Sequence, residues 1–343
     1  MKKLILILTA CCCLCSCGTQ EKTVTEKTSK KESVEDAAKP SKKVVTVTAV
    51  GDCTFATDDA AAADDSFVSM VEEQDDYTYF FENVADIFEE DDLTIVNFEG
   101  TLSERGKRQD KQFAFRGDPE YVEILTSSSV EAANLANNHS SDYGKESYDD
   151  TIEYLEDAGV AVFDGTDIEI MEINGVTVGL VGIYALNETR AAELEPAMEK
   201  VKEEGAELIV VNFHWGEEKA KTPNSTQKEL AHKAVDLGAD LVVGHHPHVL
   251  QGIEKYNGKY IVYSLGNFCF GGNRNPSDKD TMIFRQTFTL ENGEPEDDDD
   301  ILIIPCSISS VSDRNNYQPT PLEDEEADRV TEKIAERTKA NSE

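Results

Sequence analysis

The hydrophobic pattern divides the chain into a short apolar stretch, a polar stretch, and a long region where β-like and helix-like segments alternate. Leu4 to Leu14 is apolar but too short to cross a bilayer as a helix, and Met1-Lys2-Lys3 before it is basic. From Gly18 to Lys43 large apolar residues almost vanish, so residues 18–43 cannot bury enough surface to fold and read as a flexible tether. A β-branched run, Val44 to Val50, opens the folded part. Further strand-like runs are Leu93 to Phe98, Val130 to Leu135, Val160 to Phe163, Val176 to Ile183, Leu208 to Phe213, Leu241 to Val243 and Tyr260 to Tyr263. Helix-like segments lie between them, around Tyr79 to Glu89, Pro119 to Leu125, Tyr148 to Ala158, Pro196 to Glu203 and Thr226 to Leu237. Such alternation predicts a largely parallel α/β sheet covered by helices.

Three features modify that picture. Ile168 to Ile173 and Val176 to Ile183, joined by Asn174-Gly175, predict a hairpin. Thr281 to Leu290 and Ile301 to Ile308 predict strands on either side of the acidic loop Glu291 to Asp300. Leu322 to Lys339 predicts a polar helix with a weak apolar stripe, docked loosely. The folded domain is therefore expected over 44–320, with a polar helix and tail over 321–343.

Composition adds a strong electrostatic constraint. The chain has 69 acidic and 32 basic residues, a net charge of −37. A surface that acidic repels phosphate backbones, which argues against nucleic acid as a partner. Of the eight cysteines, Cys11, Cys12, Cys13, Cys15 and Cys17 cluster at the N-terminus. Leu14-Cys15-Ser16-Cys17-Gly18 resembles a bacterial lipobox, with Cys17 as the lipid-modified first residue of the mature chain. Cys11 fits loosely but leaves a hydrophobic region of only a few residues. The expectation is a lipoprotein signal peptide over 1–17 and a lipid anchor at the extracytoplasmic face of the membrane. Cys53, Cys269 and Cys306 show no paired spacing and read as small buried hydrophobes.

Candidate chemistry gathers where the predicted strands end. Val44 to Val50 runs into Asp52, Cys53 and Thr54; Leu93 to Val96 into Asn97 and Glu99; Val130 to Leu135 into Asn137, Asn138 and His139. Leu208 to Phe213 runs into His214 and Glu217, and Leu241 to Val243 into His245, His246 and His248. In a parallel sheet the carboxyl ends of the strands meet at one crevice. Carboxylate, amide and imidazole groups collected there suit a divalent cation such as Mn, Zn or Fe. Singly, each has a plain structural reading: Asp52 a cap, Glu99 a surface charge, the asparagines a turn. Five coincidences at one sheet edge favour a shared site.

The strings AVGDCTF, NFEGTLS, FAFRGDPE, ANNHSSDYG, VNFHWGEE, GADLVVGHHPHVLQGIE and YSLGNFCF resemble the bacterial capsule-synthesis CapA (PGA_cap) family. That family is similar in turn to the calcineurin-like metallophosphatases. The resemblance implies a four-layer αββα sandwich with two metals at the strand ends, and a link to poly-γ-glutamate. It implies Asp52, Glu99, Asn138, His214, His246 and His248 as metal ligands, with Glu99 in the bridging position. It implies Asn138 and His139 as the catalytic Asn-His pair, His139 assisting the leaving group.

One departure concerns the first motif, where Thr54 stands in the place of a histidine. One metal position is thereby short of a ligand, and one or two ions are expected. After Glu99 comes a basic segment, Arg105, Lys107, Arg108, Lys111 and Arg116. Arg105, Arg108 and Arg116 are candidate substrate-binding groups, because arginine contacts carboxylate or phosphate in a bidentate manner. The function expected is a membrane-anchored CapA-like protein in synthesis, export or processing of a poly-γ-glutamate-like polyanion, alongside membrane synthase subunits. It carries a hydrolase-like site; the alternatives are a non-catalytic polymer-binding scaffold and a cell-wall amidase or phosphodiesterase.

Overall fold

The apolar alternation along the first β-branched run sets the architecture. In the computed structural model, which describes residues 42–58, 63–296 and 300–341, this run is strand β1, Lys42–Thr54. There follow β2 (Leu93–Phe98), β3 (Ala132–Asn134), β4 (Ala161–Phe163), β5 (Glu169–Ile173), β6 (Val176–Tyr184) and β7 (Leu208–His214). The remaining main strands are β8 (Leu241–His245), β9 (Ile253–Tyr256), β10 (Lys259–Val262), β11 (Asn267–Phe270), β12 (Asp280–Glu291) and β13 (Ile301–Ser307). The helices that matter below are α1 (Phe67–Gln74), α2 (Lys145–Asp157), α3 (Leu194–Glu203), α4 (Ser225–Asp236) and α5 (Asp324–Asn341). The lipidation at Cys17 or Cys11, the signal segment and the tether up to residue 41 lie outside the described residues.

Two sheets result, where the strand pattern suggested one. The first runs β13-β12-β1-β2-β3-β4, with β11 beside the carboxyl end of β1. The second runs β9-β10-β8-β7-β6-β5. Strands β1 to β4 pair in parallel, as do β6, β7, β8 and β10. Antiparallel strands finish the sheets: β12 and β13 form the predicted pair, and β5 and β6 the predicted hairpin.

Side-chain alternation assigns each face. Val45, Val47 and Ala49 of β1 with Leu93 and Ile95 of β2 meet Val178, Leu180, Leu208, Val210, Leu241 and Val243 of the second sheet. On the other face of the first sheet, Val50, Cys53, Val96 and Phe98 pack under Phe67, Phe80, Phe88, Ile124, Leu125 and Leu155. On the outer face of the second sheet, Val181, Ile209, Val211 and Phe213 pack under Met198 and Val201 of α3 and Ala231 and Ala234 of α4. The order is helix, sheet, sheet, helix, the four-layer αββα sandwich. Because both sheets are covered on both faces, their central strands are apolar without alternation of polarity. Cys53, Cys269 and Cys306 are buried free thiols within this packing.

The C-terminal helix differs from expectation. Val330 and Ile334 of α5 are buried in the core between the two sheets. Arg329 donates two hydrogen bonds to the carboxylate of buried Asp280, at 2.6 and 2.7 Å, and Lys333 pairs with the same group. Arg337 donates to the carbonyl of Leu250. A stripe with few apolar residues still seals the sandwich because the stems of the basic side chains supply apolar cover. Elsewhere the helix expected at Tyr79–Glu89 is broken: Asp76 caps a 3-10 turn at Tyr77–Phe80, and helix resumes only at Ala85–Glu89.

Two outcomes test the role of α5. Ile334→Ala is expected to cost about 2–5 kcal/mol of unfolding free energy, read from urea titration, because a buried side chain is truncated. Burial raises the Asp280 carboxyl and the Arg329 and Lys333 contacts more than offset it, so the group titrates below its ordinary value. Its contribution is present above about pH 4 and lost as pH falls through the depressed value. Asp280→Asn should lower stability at neutral pH and flatten its decline on the acid side; an unchanged acid limb would count against this contact.

Candidate metal centre

The carboxyl ends of the parallel strands place the polar groups. Asp52 ends β1, Asn97 and Glu99 lie at the end of β2, Asn134 to His139 at the end of β3, His214 at the end of β7, and His245 to His248 at the end of β8. Close approach of β11 to β1 helps close the site. A β-carbon at Gly51 would lie 2.1 Å from the carbonyl oxygen of Gly266, and the Asp52 amide donates to that oxygen at 2.9 Å. His246 and His248 both have left-handed backbones, with φ of 91° and 57°. Such conformations cost about 1–3 kcal/mol each and persist where the surroundings fix them.

Asp52 is fully buried and well satisfied. Its Oδ1 accepts from Asn97 Nδ2 at 2.8 Å, and its Oδ2 lies 3.1 Å from His248 Nδ1 and accepts from the His246 amide at 3.3 Å. Burial opposes ionisation of Asp52, and contacts with His245 and His248 prevail, holding it well below the usual range. Asn97 is held in turn by Asn134, whose Nδ2 donates to Asn97 Oδ1 at 2.9 Å.

Glu99 is the opposite case. It is equally buried, yet no hydrogen-bond donor among the described residues reaches either carboxylate oxygen. Its Oε1 lies 3.7 Å from His139 Nε2, 3.8 Å from His214 Nε2 and 3.9 Å from His248 Nε2. Burial pushes its carboxyl up to about 8. His246 is lowered to about 4, chiefly by burial, and His214 falls well below its ordinary value for the same reason. A neutral imidazole is what a metal requires of histidine, whereas Glu99 and Asp52 overcome burial and raise His248 to about 10.

Two overlapping groups follow from this arrangement. Glu99, His214 and His246 form one, and Asp52, Glu99 and His248 the other, with ligand atoms within 4.8 Å of one another in each. Glu99 belongs to both. Asn138 lies beside the first, its Oδ1 accepting a hydrogen bond from His214 Nε2 at 2.6 Å. A carboxylate with no donor, together with His246 Nδ1 that has no partner, fits a divalent cation in chemistry and in number of free lone pairs.

Thr54 does not contribute to either group. Its hydroxyl donates to the Glu99 carbonyl at 2.8 Å and so fixes the backbone that presents the shared carboxylate. On the other side of Asp52 sits His245, buried, with Nδ1 3.5 Å from Oδ1 and no hydrogen bond at either ring nitrogen.

His139 is oriented by a residue that the strand-end reading passed over. Its Nδ1 lies 2.6 Å from Asp142 Oδ2, which leaves Nε2 turned toward Glu99. Lys111 donates to Asp142 Oδ1 at 2.5 Å and to the Asn138 carbonyl at 2.7 Å. The His139–Asp142 pair is visible as a three-residue spacing, whereas Lys111 stands out only as a member of the basic segment, with no signal for this role. Asn267, within the string YSLGNFCF, meets His248 Nδ1 at 2.8 Å, a role that the string did not assign.

Over the site opens a cleft of about 250 Å³, walled by Phe113, Phe115 and Phe270 and reaching His139 and His248. Arg105, Arg108 and Arg116 do not line it. Arg105 pairs with Asp150, Arg108 donates to Asp58 at 2.7 Å, and the Arg116 guanidinium stacks over the Tyr143 ring at 4.1 Å.

Residues 46–272 match the family model of the bacterial capsule synthesis protein PGA_cap, a segment that contains every candidate ligand named above. The chain belongs to this family. It is 35% identical over 228 residues to the PGA biosynthesis protein CapA of Bacillus subtilis (strain 168), covering 60% of each chain. It is 33% identical over 220 residues to the capsule biosynthesis protein CapA of Bacillus anthracis, covering 56% of this chain and 54% of that one. The match thus spans somewhat more than half the length of these relatives. PGA_cap similarity ends near the end of β11, so β12, β13 and α5 lie beyond it.

The shared position of Glu99 makes a simple expectation. Added Mn²⁺ or Zn²⁺ should raise the thermal midpoint of the chelated protein, since an ion bound only by the native state stabilises it. Glu99→Ala should abolish the shift for both groups, whereas His246→Ala should leave the Asp52 side able to bind. A full shift retained in Glu99→Ala would show that the two groups do not share that carboxylate.

Proposed function

We propose that this protein is an extracytoplasmic, lipid-anchored participant in the synthesis, export or processing of a poly-γ-glutamate-like polyanion, acting as a metal-dependent hydrolase. The observation that carries the reading is Glu99, a buried carboxylate without a donor, shared by two ligand groups inside the PGA_cap segment. Among the described residues no helix is long and apolar enough to cross a membrane, so the membrane association proposed here rests on acylation of Cys17.

Asp52, Glu99, Asn138, His214, His246 and His248 would hold the ion or ions, of Mn, Zn or Fe type. A bound divalent cation polarises a carbonyl or phosphoryl oxygen and acidifies a bound water. The protein's own part is placement and proton movement. The Asp142 contact fixes the His139 ring, and burial favours its neutral form. Nε2 therefore faces the site able to take a proton and return it to the leaving group. Lys111 holds both Asp142 and the Asn138 carbonyl, which fixes the two members of the pair relative to each other.

Thr54 supports a second reading. Its hydroxyl is committed to the Glu99 carbonyl, so one ligand group lacks a side chain that a fully furnished two-metal site would have. In that reading the pocket binds polymer for membrane synthase subunits and does not turn it over.

Incubation with poly-γ-glutamate, a generic phosphodiester and each metal in turn separates the two. Turnover that falls about 10²–10⁴-fold in His139→Ala, with metal binding retained, is the expected result. Polymer binding with no turnover under any metal would overturn the hydrolase and leave the scaffold. Separately, Cys17→Ser should release the protein from the membrane fraction.

A further inference from the structure

The cleft above the site has a cation of its own, and it does not come from the basic segment after Glu99. Lys219 lines the cleft together with His139 and His248, and it is the one lysine or arginine that does so among the described residues. Four of the five cations after Glu99 are occupied, Arg105 by Asp150, Arg108 by Asp58, Lys111 by Asp142 and Arg116 by the Tyr143 ring, and the fifth, exposed Lys107, does not line the cleft. The structure shows no ion pair for Lys219 among the described residues, and its side chain is exposed.

Its backbone is built rather than incidental. Lys219 has φ of 63°, a left-handed conformation that a side chain makes costly and that tends to mark functional sites. The Lys219 amide donates to the carbonyl of Pro247 at 2.7 Å, and the amide of Ala220 closes the turn on the Glu217 carbonyl at 3.2 Å. Pro247 stands between His246 and His248. The turn that carries Lys219 is therefore docked on the loop that presents two candidate ligands, and its lysine is held in register with them.

We propose that Lys219 is the anion anchor of this site and sets its preference for a chain of repeating anionic groups with aliphatic spacers. This rests on the reading of the cleft as a polymer site. The walls fit such a chain: Phe113 is 47% exposed, and with Phe115 and Phe270 it offers apolar surface to methylene groups while the ammonium meets a charge. Glu218 and Asp278 also line the cleft. Asp278 is already paired with Lys333 at 3.1 Å, and Glu218 directly precedes Lys219, so the lysine offsets the acidic lining that an anion meets. In a protein of net charge −37 the long-range field repels a polyanion, so a short-range cation has to select it.

The test measures binding of a poly-γ-glutamate oligomer and of polyphosphate to the metal-loaded protein by fluorescence anisotropy, at low and moderate salt. Lys219→Ala is expected to weaken oligomer binding about tenfold, Lys219→Glu further, and Lys219→Arg little. The exposed Lys221→Ala, outside the cleft, serves as control and should bind as wild type. Metal-induced thermal shifts should be the same in all these variants, which separates loss of the anchor from loss of the fold. Oligomer binding that is strong in wild type and equal in Lys219→Ala overturns the anchor and leaves the polymer reading standing. Binding of polyphosphate alone, still dependent on Lys219, keeps the anchor and overturns poly-γ-glutamate as the polymer. No binding of either polyanion by the wild type overturns both.

Discussion

The structure depends on how it keeps two carboxylates, Asp52 and Glu99, fully buried at adjoining strand ends. An ionised carboxylate removed from water is costly unless donors or cations surround it. Asp52 receives donors from Asn97 and the loop after β8, and that loop is bent into left-handed conformations to deliver them. Glu99 receives none from the described residues, and burial raises its carboxyl accordingly. The same pocket keeps His214 and His246 neutral. One environment thus favours a protonated Glu99 carboxyl beside two uncharged imidazoles, while Glu99 and Asp52 overcome burial and raise His248 to about 10.

The sandwich exists to bring those residues together. Asp52, Glu99 and the Asn138–His139 pair come from the first sheet, while His214 and the His245–His248 loop come from the second. Neither sheet has the site alone. The packing of Val45, Val47 and Ala49 against Leu208, Val210, Leu241 and Val243 is therefore a condition of the chemistry as well as of stability. Helix α5, beyond the PGA_cap segment, closes the open end of that interface with Val330 and Ile334 and anchors itself on Asp280 at the start of β12.

Much of this was legible in the sequence because the signals are local. Strand ends announce themselves when an apolar run stops at a polar residue, and five such stops carried the ligand candidates. What was not legible depends on long-range approach. Two sheets rather than one could not be inferred from alternation, since a covered parallel strand looks the same in either. Asn134 has no motif of its own, and neither the basic segment nor the string YSLGNFCF gives the roles of Lys111 and Asn267; all three acquire meaning from hydrogen bonds to Asn97, Asp142 and His248 across the fold. Thr54 was visible as a departure, but its use as a tie to the Glu99 carbonyl required the neighbouring strand. The C-terminal helix looked loosely held because its apolar stripe is weak, and its ion pairs to Asp280 come from a strand distant in sequence.

The basic segment after Glu99 shows how charge seen in a sequence can mislead about position. In so acidic a chain a cluster of arginines stands out, yet Arg105, Arg108 and Arg116 stabilise the loop between β2 and β3 through Asp150, Asp58 and Tyr143. Acidic partners are abundant, so most cations are neutralised locally before any ligand arrives. Of the cations without an ion pair among the described residues, Lys219 is the one that lines the cleft. A strained turn docked on Pro247 holds Lys219 beside the ligand loop. Net charge therefore governs how the protein behaves at a distance, while specificity at the cleft falls to one locally constrained residue.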